Sequence, residues 1–354
     1  MPGVYISYPF CAQKCTYCNF ASGVLPRELE KQYLAALHNE IRSTQWQWIP
    51  ETIYLGGGTP SQMEPAALGS LLAEIRGGPF LETTLEAAPG NITAERAAAW
   101  RAAGIDRVSL GVQSFIAKEL SRTGRKHTAA IVEQEIAHLR NAGISNFNID
   151  LIAGLPGQTA ASWAESLDWV ERLGAPHVSV YMLEIDEDSR LGAEALSLGQ
   201  RYGAPDIPDD DAIADFYESA VERLARAGTP RYEISNFARP GFESRHNLKY
   251  WLREPYIGFG SDAHSFDGTH RIQNTERAQD YVKDPAPERT PADPIAERFF
   301  LGLRLTRGIE PPFTPFESAI DKHFRNGLLE RDGTSLRLTP RGVLLSNEVF
   351  SEFV

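Results

Sequence analysis

Cys11, Cys15 and Cys18 stand within eight residues near the start of the chain, and the rest of the sequence holds no other cysteine. With no distant partner they cannot form a disulfide framework, and an odd, clustered set points to metal ligation or redox chemistry in a reducing compartment. The Cys-x3-Cys-x2-Cys spacing differs from the C-x2-C-x2-C run of bacterial ferredoxins. Three thiolates can hold three irons of a [4Fe–4S] cubane and leave the fourth without a protein ligand. The amino and carboxylate groups of S-adenosylmethionine can chelate such an iron before one-electron transfer breaks the sulfonium C–S bond. A zinc site completed by a distant His is the plainer alternative, but zinc motifs usually pair their cysteines as C-x2-4-C. Three unligated thiols are plainer still.

Other chemically suggestive residues fall where strands are expected to end. Gly56-Gly57-Gly58-Thr59-Pro60 is either a tight turn or a place where backbone approaches a ligand and offers its N–H and C=O groups to a methionyl moiety. Glu86 and Gln113 close the third and fourth apolar runs, and Asp150 alternates with Asn148 on the fifth. An acid inside a sheet is costly unless paired or functional, and Arg125 could supply its countercharge or clamp a carboxylate. Each of these has an ordinary reading as a satisfied structural polar group. His246 precedes Tyr250 and Trp251 by four and five residues, a grouping that suits a porphyrin face and an axial iron ligand as well as it suits a bonded loop histidine. His264 is a second candidate, whereas His38 and His138 read as surface residues on helix faces.

The elements that must position these groups alternate. Runs at Gly3–Tyr8, Thr52–Gly56, Thr83–Ala87, Arg107–Val112, Asn146–Leu151 and His177–Leu183 predict strands. Between them, Glu28–Ser43, Pro65–Ile75, Ala94–Ala103, Ala129–Ala142 and Ala161–Leu173 carry apolar residues at helical spacing, several followed by Gly. Six β/α units predict an α/β fold built as an open, partial TIM-like barrel with its site on the rim after the strands. A helix over Asp211–Ala227 and a strand-like Arg231–Asn236 close it, so residues 1–238 form the core. Residues 239–274 are rich in Gly, aromatic residues and His with weak periodicity, and 239–284 read as a connecting region. Residues 285–354 predict a small α+β, winged-helix-like domain: helices Ile295–Leu303 and Pro315–Phe324, a hairpin around Asp332-Gly333, and a last helix from Pro340.

Composition narrows the function. The 354 residues, 42% hydrophobic, suffice for a large core. The formal charge of −12 and the lack of a basic stripe argue against nucleic acid as a partner. Neither a long apolar run nor a signal peptide is visible, which predicts a cytoplasmic protein.

At Cys11–Cys18, Gly56–Ser61, Asp150–Gln158, Tyr232–Ala238 and His246–Trp251 the chain resembles the oxygen-independent coproporphyrinogen III oxidases and their relatives, a radical SAM family. Its His-Asn-x-x-Tyr-Trp run is similar to that of the HemW branch, whose members are haem chaperones. The resemblance implies that Tyr5, Gly57, Glu86, Gln113, Arg125 and Asp150 line a S-adenosylmethionine pocket beside the cluster, with Tyr17, Gly58 and Thr59 near it, and that His246 handles haem. It departs from the oxidase branch at Phe20, where that branch has a fourth cysteine, and at Ser7, where it has a His. The implied function is binding of the cluster, S-adenosylmethionine and haem, with haem passed to a respiratory haem protein. Coproporphyrinogen decarboxylation, or radical chemistry on another tetrapyrrole, is the alternative. Whether S-adenosylmethionine is cleaved, whether a respiratory partner brings the chain to a membrane surface, and whether it is a homodimer stay open.

Overall fold

The computed structural model describes residues 2–354. Six parallel strands form its centre: β1 (Gly3–Tyr8), β2 (Thr52–Gly57), β3 (Glu82–Ala87), β4 (Arg107–Gln113), β5 (Asn146–Ala153) and β6 (His177–Met182), paired in sequence order. Each strand sorts its side chains by alternation. Val4, Ile6, Ile53, Leu55, Leu85, Val108, Leu110, Phe147, Ile149, Leu151, Val178 and Val180 are buried on the face covered by helices. The alternate positions carry Tyr5, Tyr54, Glu86, Arg107, Ser109, Asn148, Asp150, His177 and Ser179. A polar lumen is thus built into the strand sequences.

The covering helices are amphipathic for the same reason. Arg27–Ser43 buries Tyr33, Leu37 and Ile41 at intervals of four, and Ala129–Asn141 buries Val132, Ile136 and Leu139. Thr93, Thr128 and Thr159 accept from backbone N–H groups at helix starts. The helix Ala160–Leu173 ends on Gly174 at φ 60°, a left-handed cap.

The sheet does not close. On one side β6 pairs antiparallel with β7 (Asn236–Ala238); on the other, β1 pairs in parallel with β8 (Tyr256–Phe259) and the sheet continues through β9 (His264–Phe266), β10 (His270–Gln273) and β11 (Glu288–Pro291). The segment that showed only weak periodicity therefore carries three strands of the main sheet, β8 to β10, and a helix, Arg245–Trp251, and β11 follows within the stretch expected to open the C-terminal domain. These strands are three or four residues long, too short to show a period. Gly258 is required there, since a Cβ would lie 2.2 Å from the His264 carbonyl oxygen.

The C-terminal region runs helix Pro294–Gly302, helix Glu317–Arg325, hairpin β12 (Leu329–Asp332) and β13 (Ser335–Leu338), then helices Pro340–Leu344 and Ser346–Phe350. Phe299, Phe316 and Phe353 meet at centroid distances of 4.9–5.1 Å in its core. No helix among the described residues is long and apolar enough to cross a membrane.

Candidate functional site

The rim at the C-terminal ends of β1–β6 gathers the residues singled out for chemistry. The chain leaves β1 into a loop pinned by Cys11 N–H to Gly23 O at 2.9 Å and Gly23 N–H to Pro9 O at 2.9 Å. Thr16 docks it laterally, its N–H reaching Thr123 O at 3.3 Å and its carbonyl accepting from Leu191 N–H at 2.8 Å. The Gly run after β2 is threaded through this loop: Gly58 N–H donates to Tyr8 O at 2.8 Å and Thr59 N–H to Phe10 O at 2.9 Å. A Cβ on Gly58 would fall 2.7 Å from Phe10 O and 2.9 Å from Cys11 Sγ, so only glycine allows the approach. Cys11, Cys15 and Cys18 line one cavity of about 490 Å³ together with Tyr17, Gly57, Gly58, Thr59, Glu86, Gln113, Arg125 and Asp150. Tyr5 stands beside it, in a side pocket with Ser7, Gly57 and Glu86.

The charged residues of this cavity are held in unusual states. Burial pushes Glu86 up to about 7; the Tyr54 hydroxyl, donating at 2.8 Å, opposes the shift, and the nearby Asp150 charge adds to it. Burial also raises Asp150, against hydrogen bonds from Ser179 and Asn148; the Asn148 amide is 2.6 Å away. Arg125 is anchored by Gly111 O at 2.6 Å and Tyr17 Oη at 3.4 Å, while its Nε is buried without a hydrogen-bond partner among the described residues. Burial raises the Cys11 thiol, with Thr59 and Ser22 opposing and the other two cysteines reinforcing the rise. Gln113 sits at φ 72°, just past a register shift in the β4–β5 pairing between Leu110 and Gln113. A non-glycine residue in this region costs about 1–3 kcal/mol and persists where the surroundings enforce it; here it turns the Gln113 side chain onto the cavity wall.

This donor set fits the groups expected from the sequence. Three thiols border one accessible space, backed by a glycine that clears Cys11 Sγ. Among the described residues no three His, Cys, Asp or Glu side chains converge as a single metal ion would require, and the thiols border the cavity without meeting at a point. For S-adenosylmethionine, the cavity offers an arginine for a carboxylate, two acids for ammonium or hydroxyl groups, and open backbone at Gly57 and Gly58. The bound cluster would supply the electron for sulfonium cleavage. The chain's own part is to hold the cysteines on a pinned loop and to keep two acids and a guanidinium around the ligand.

His246, implied by the resemblance in haem handling, is not part of this constellation. It lies at the opposite end of the strands, against Gly3 and Thr52, the first residues of β1 and β2. It is 0% exposed, with Nδ1 on Thr52 Oγ1 at 2.9 Å and Nε2 on Tyr250 Oη at 2.8 Å. Burial lowers its pKa to about 3, with the Lys249 and Arg107 charges adding. Both ring nitrogens are taken, so the folded chain offers no lone pair there. Tyr250 packs edge-on against His246 and Tyr256. His264 is exposed on β9 near the rim.

Several residues escaped the sequence reading. Tyr54 and Tyr181 reach the lumen from β2 and β6, and Arg107 is buried at the start of β4 with Nε and Nη1 unpartnered among the described residues. The inward alternation on β2, β4 and β6 carried the signal, masked because tyrosine reads as core and Arg107 opens its strand.

Comparisons with known proteins agree with this arrangement. The Radical SAM superfamily profile matches residues 5–170 and that of the HemN C-terminal domain residues 290–345, which makes the chain a radical SAM protein with an appended HemN-type domain. The structure of coproporphyrinogen III oxidase (HemN) from Escherichia coli, a radical SAM enzyme, superposes with a TM-score of 0.83 over 99% of this chain and 89% of that one; at 23% identity this shows a shared fold. The chain is 33% identical to the heme chaperone HemW of Lactococcus lactis subsp. lactis (strain IL1403) across 99% of its own length and 96% of that protein's. It is 33% identical to the heme chaperone HemW of Bacillus subtilis (strain 168) across 100% and 99%. It belongs to the HemW family within the radical SAM superfamily, and the [4Fe–4S] cluster and S-adenosylmethionine come with that membership.

Proposed function

We infer that the protein is a haem chaperone: it carries a [4Fe–4S] cluster on Cys11, Cys15 and Cys18, binds S-adenosylmethionine in the rim cavity, and takes up haem for delivery to a respiratory haem protein. The observation that carries this reading is the end-to-end similarity to heme chaperones, at 33% identity over 99% of this chain. Phe20, exposed at the cavity mouth where the oxidase branch has its fourth cysteine, supports it, whereas Ser7 departs from the His common to both branches. Glu86 and Asp150 serve as acceptors for the ligand's ammonium and hydroxyl groups, Arg125 as the clamp for its carboxylate, and Gln113, Thr59, Tyr5 and Tyr17 shape the walls. The site of action is the cytoplasm, and any membrane contact is made through the acceptor.

The test is anaerobic. The cluster is reconstituted, haem is titrated spectroscopically, and coproporphyrinogen III is supplied separately with S-adenosylmethionine and a reductant. Stoichiometric haem binding without protoporphyrinogen is expected; catalytic decarboxylation would replace this reading with an oxidase.

A further inference from the structure

A second cavity, of about 310 Å³, opens off the first, and the two share Tyr17, Ile152 and Tyr181. Its far wall is Arg304 with Leu344, Ser346 and Asn347, so it joins the cofactor cavity to the C-terminal region. Arg304 is held between two aromatic rings, its guanidinium carbon 4.9 Å from the Trp251 ring centroid and 5.1 Å from that of Phe350. Its Nε is buried with no hydrogen-bond partner among the described residues. Burial lowers its pKa, and Glu233 and Glu184 are the acids whose charges oppose that shift. A guanidinium packed over two ring faces with its Nε–H unmet is pre-oriented for a planar oxyanion such as a carboxylate.

We propose that this cleft receives a carboxylate-bearing edge of a tetrapyrrole, with Arg304 donating to a propionate, and that Trp251 serves haem binding by orienting Arg304. This rests on the haem-chaperone reading and gives it a location. Ile152, Tyr181, Met182, Leu183 and Ile234 supply the apolar flank a flat macrocycle needs. At 310 Å³ the cleft is at the low end of the roughly 300–1,000 Å³ typical of ligand pockets, so it takes one edge while the rest of the ring lies over the shared wall. The acids facing the cleft leave Arg304 available. Asp186 accepts from Asn19 Nδ2 at 2.7 Å and from Asp188 N–H, which hold it below the usual carboxylate range, and Glu184 is exposed at the lip, where solvent screens it.

The experiment uses the full chain with its cluster reconstituted and compares anaerobic titrations of haem and of haem dimethyl ester, whose propionates are blocked. The unaltered protein is expected to prefer the free acid by roughly tenfold, the scale of one charge-assisted hydrogen bond. Arg304→Gln should abolish the preference, Arg304→Lys restore part of it, and Trp251→Leu weaken it. Should Arg304→Gln not fold, Asn347→Trp fills the cleft from its exposed lip and should lower haem affinity roughly tenfold at unchanged cluster content. An unchanged acid-to-ester ratio in Arg304→Gln, or unchanged affinity in Asn347→Trp, overturns the proposal and leaves the chaperone reading standing. Failure of the unaltered protein to bind haem overturns both.

Discussion

The two ends of the parallel strands use the same kinds of side chain to opposite effect. At the N-terminal end, His246 is bonded to Thr52 and Tyr250, and His177 to Asn148 and Tyr232, in hydrogen bonds of 2.7–2.9 Å that occupy both nitrogens of each imidazole. At the C-terminal rim, Arg125 Nε is unmet, Glu86 is pushed up to about 7, Gln113 is held at φ 72°, and three thiols face open space. A residue able to do chemistry is available for it only where its own fold has not already satisfied it. The histidines of the floor belong to a structural polar layer, although Arg107 there keeps Nε and Nη1 unmet among the described residues, while the rim combines an unmet donor with the raised acid, the backbone strain and the open cavity that a ligand can fill.

The contrast is broken most sharply at the cysteines. Serine at Cys11, Cys15 or Cys18 is expected to abolish cluster assembly, read as iron and sulfide content and visible absorbance after anaerobic reconstitution, while the fold survives. Full cluster content in any one variant would remove that residue from the ligand set.

At the floor the outcome should be inverted. His246→Ala leaves Thr52 and Tyr250 without their partner and is expected to cost about 1–3 kcal/mol of unfolding free energy in denaturant titrations. Haem binding per folded molecule should stay unchanged, and its loss would restore His246 as a ligand. The neutral buried imidazole also sets a pH dependence. Its folded pKa, about 3, lies below the unfolded value near 6.5, so the stability it contributes is present above about 6.5 and is lost as pH falls toward 3.

Glu86 gives the opposite sign. Its folded pKa, about 7, exceeds the ordinary 4.5, so the folded state binds the proton more tightly and stability falls as pH rises from 4.5 through 7. Glu86→Gln should therefore stabilise the ligand-free chain at pH 8 by up to ~3 kcal/mol and flatten this slope, while weakening S-adenosylmethionine binding measured calorimetrically. A destabilised variant would mean that the raised acid is no reservoir. The smallest effect is expected at Gln113: glycine there relieves the left-handed strain, raising stability by about 1 kcal/mol and loosening the cofactor site.

What the sequence determined by itself was local and periodic. Six strands and five helices followed from alternation, helical spacing and terminal glycines because these are short-range consequences of backbone geometry, and their observed bounds lie within two residues of those expected. The cysteines, Glu86, Gln113 and Asp150 were legible because a strand end in a β/α unit has a known rim, so position along the chain translated into position in space. Tertiary structure alone decided the rest. It placed β8 beside β1, a pairing of residues about 250 positions apart that four residues cannot announce. It engaged both nitrogens of His246, because whether an imidazole is free depends on Thr52 and Tyr250, and only folding brings Thr52, 194 positions away, to it. It also left Arg304 between Trp251 and Phe350 with a donor unmet. Hydrogen-bond satisfaction is a property of the packed whole, which is why the type of a residue could be read from the chain and its availability could not.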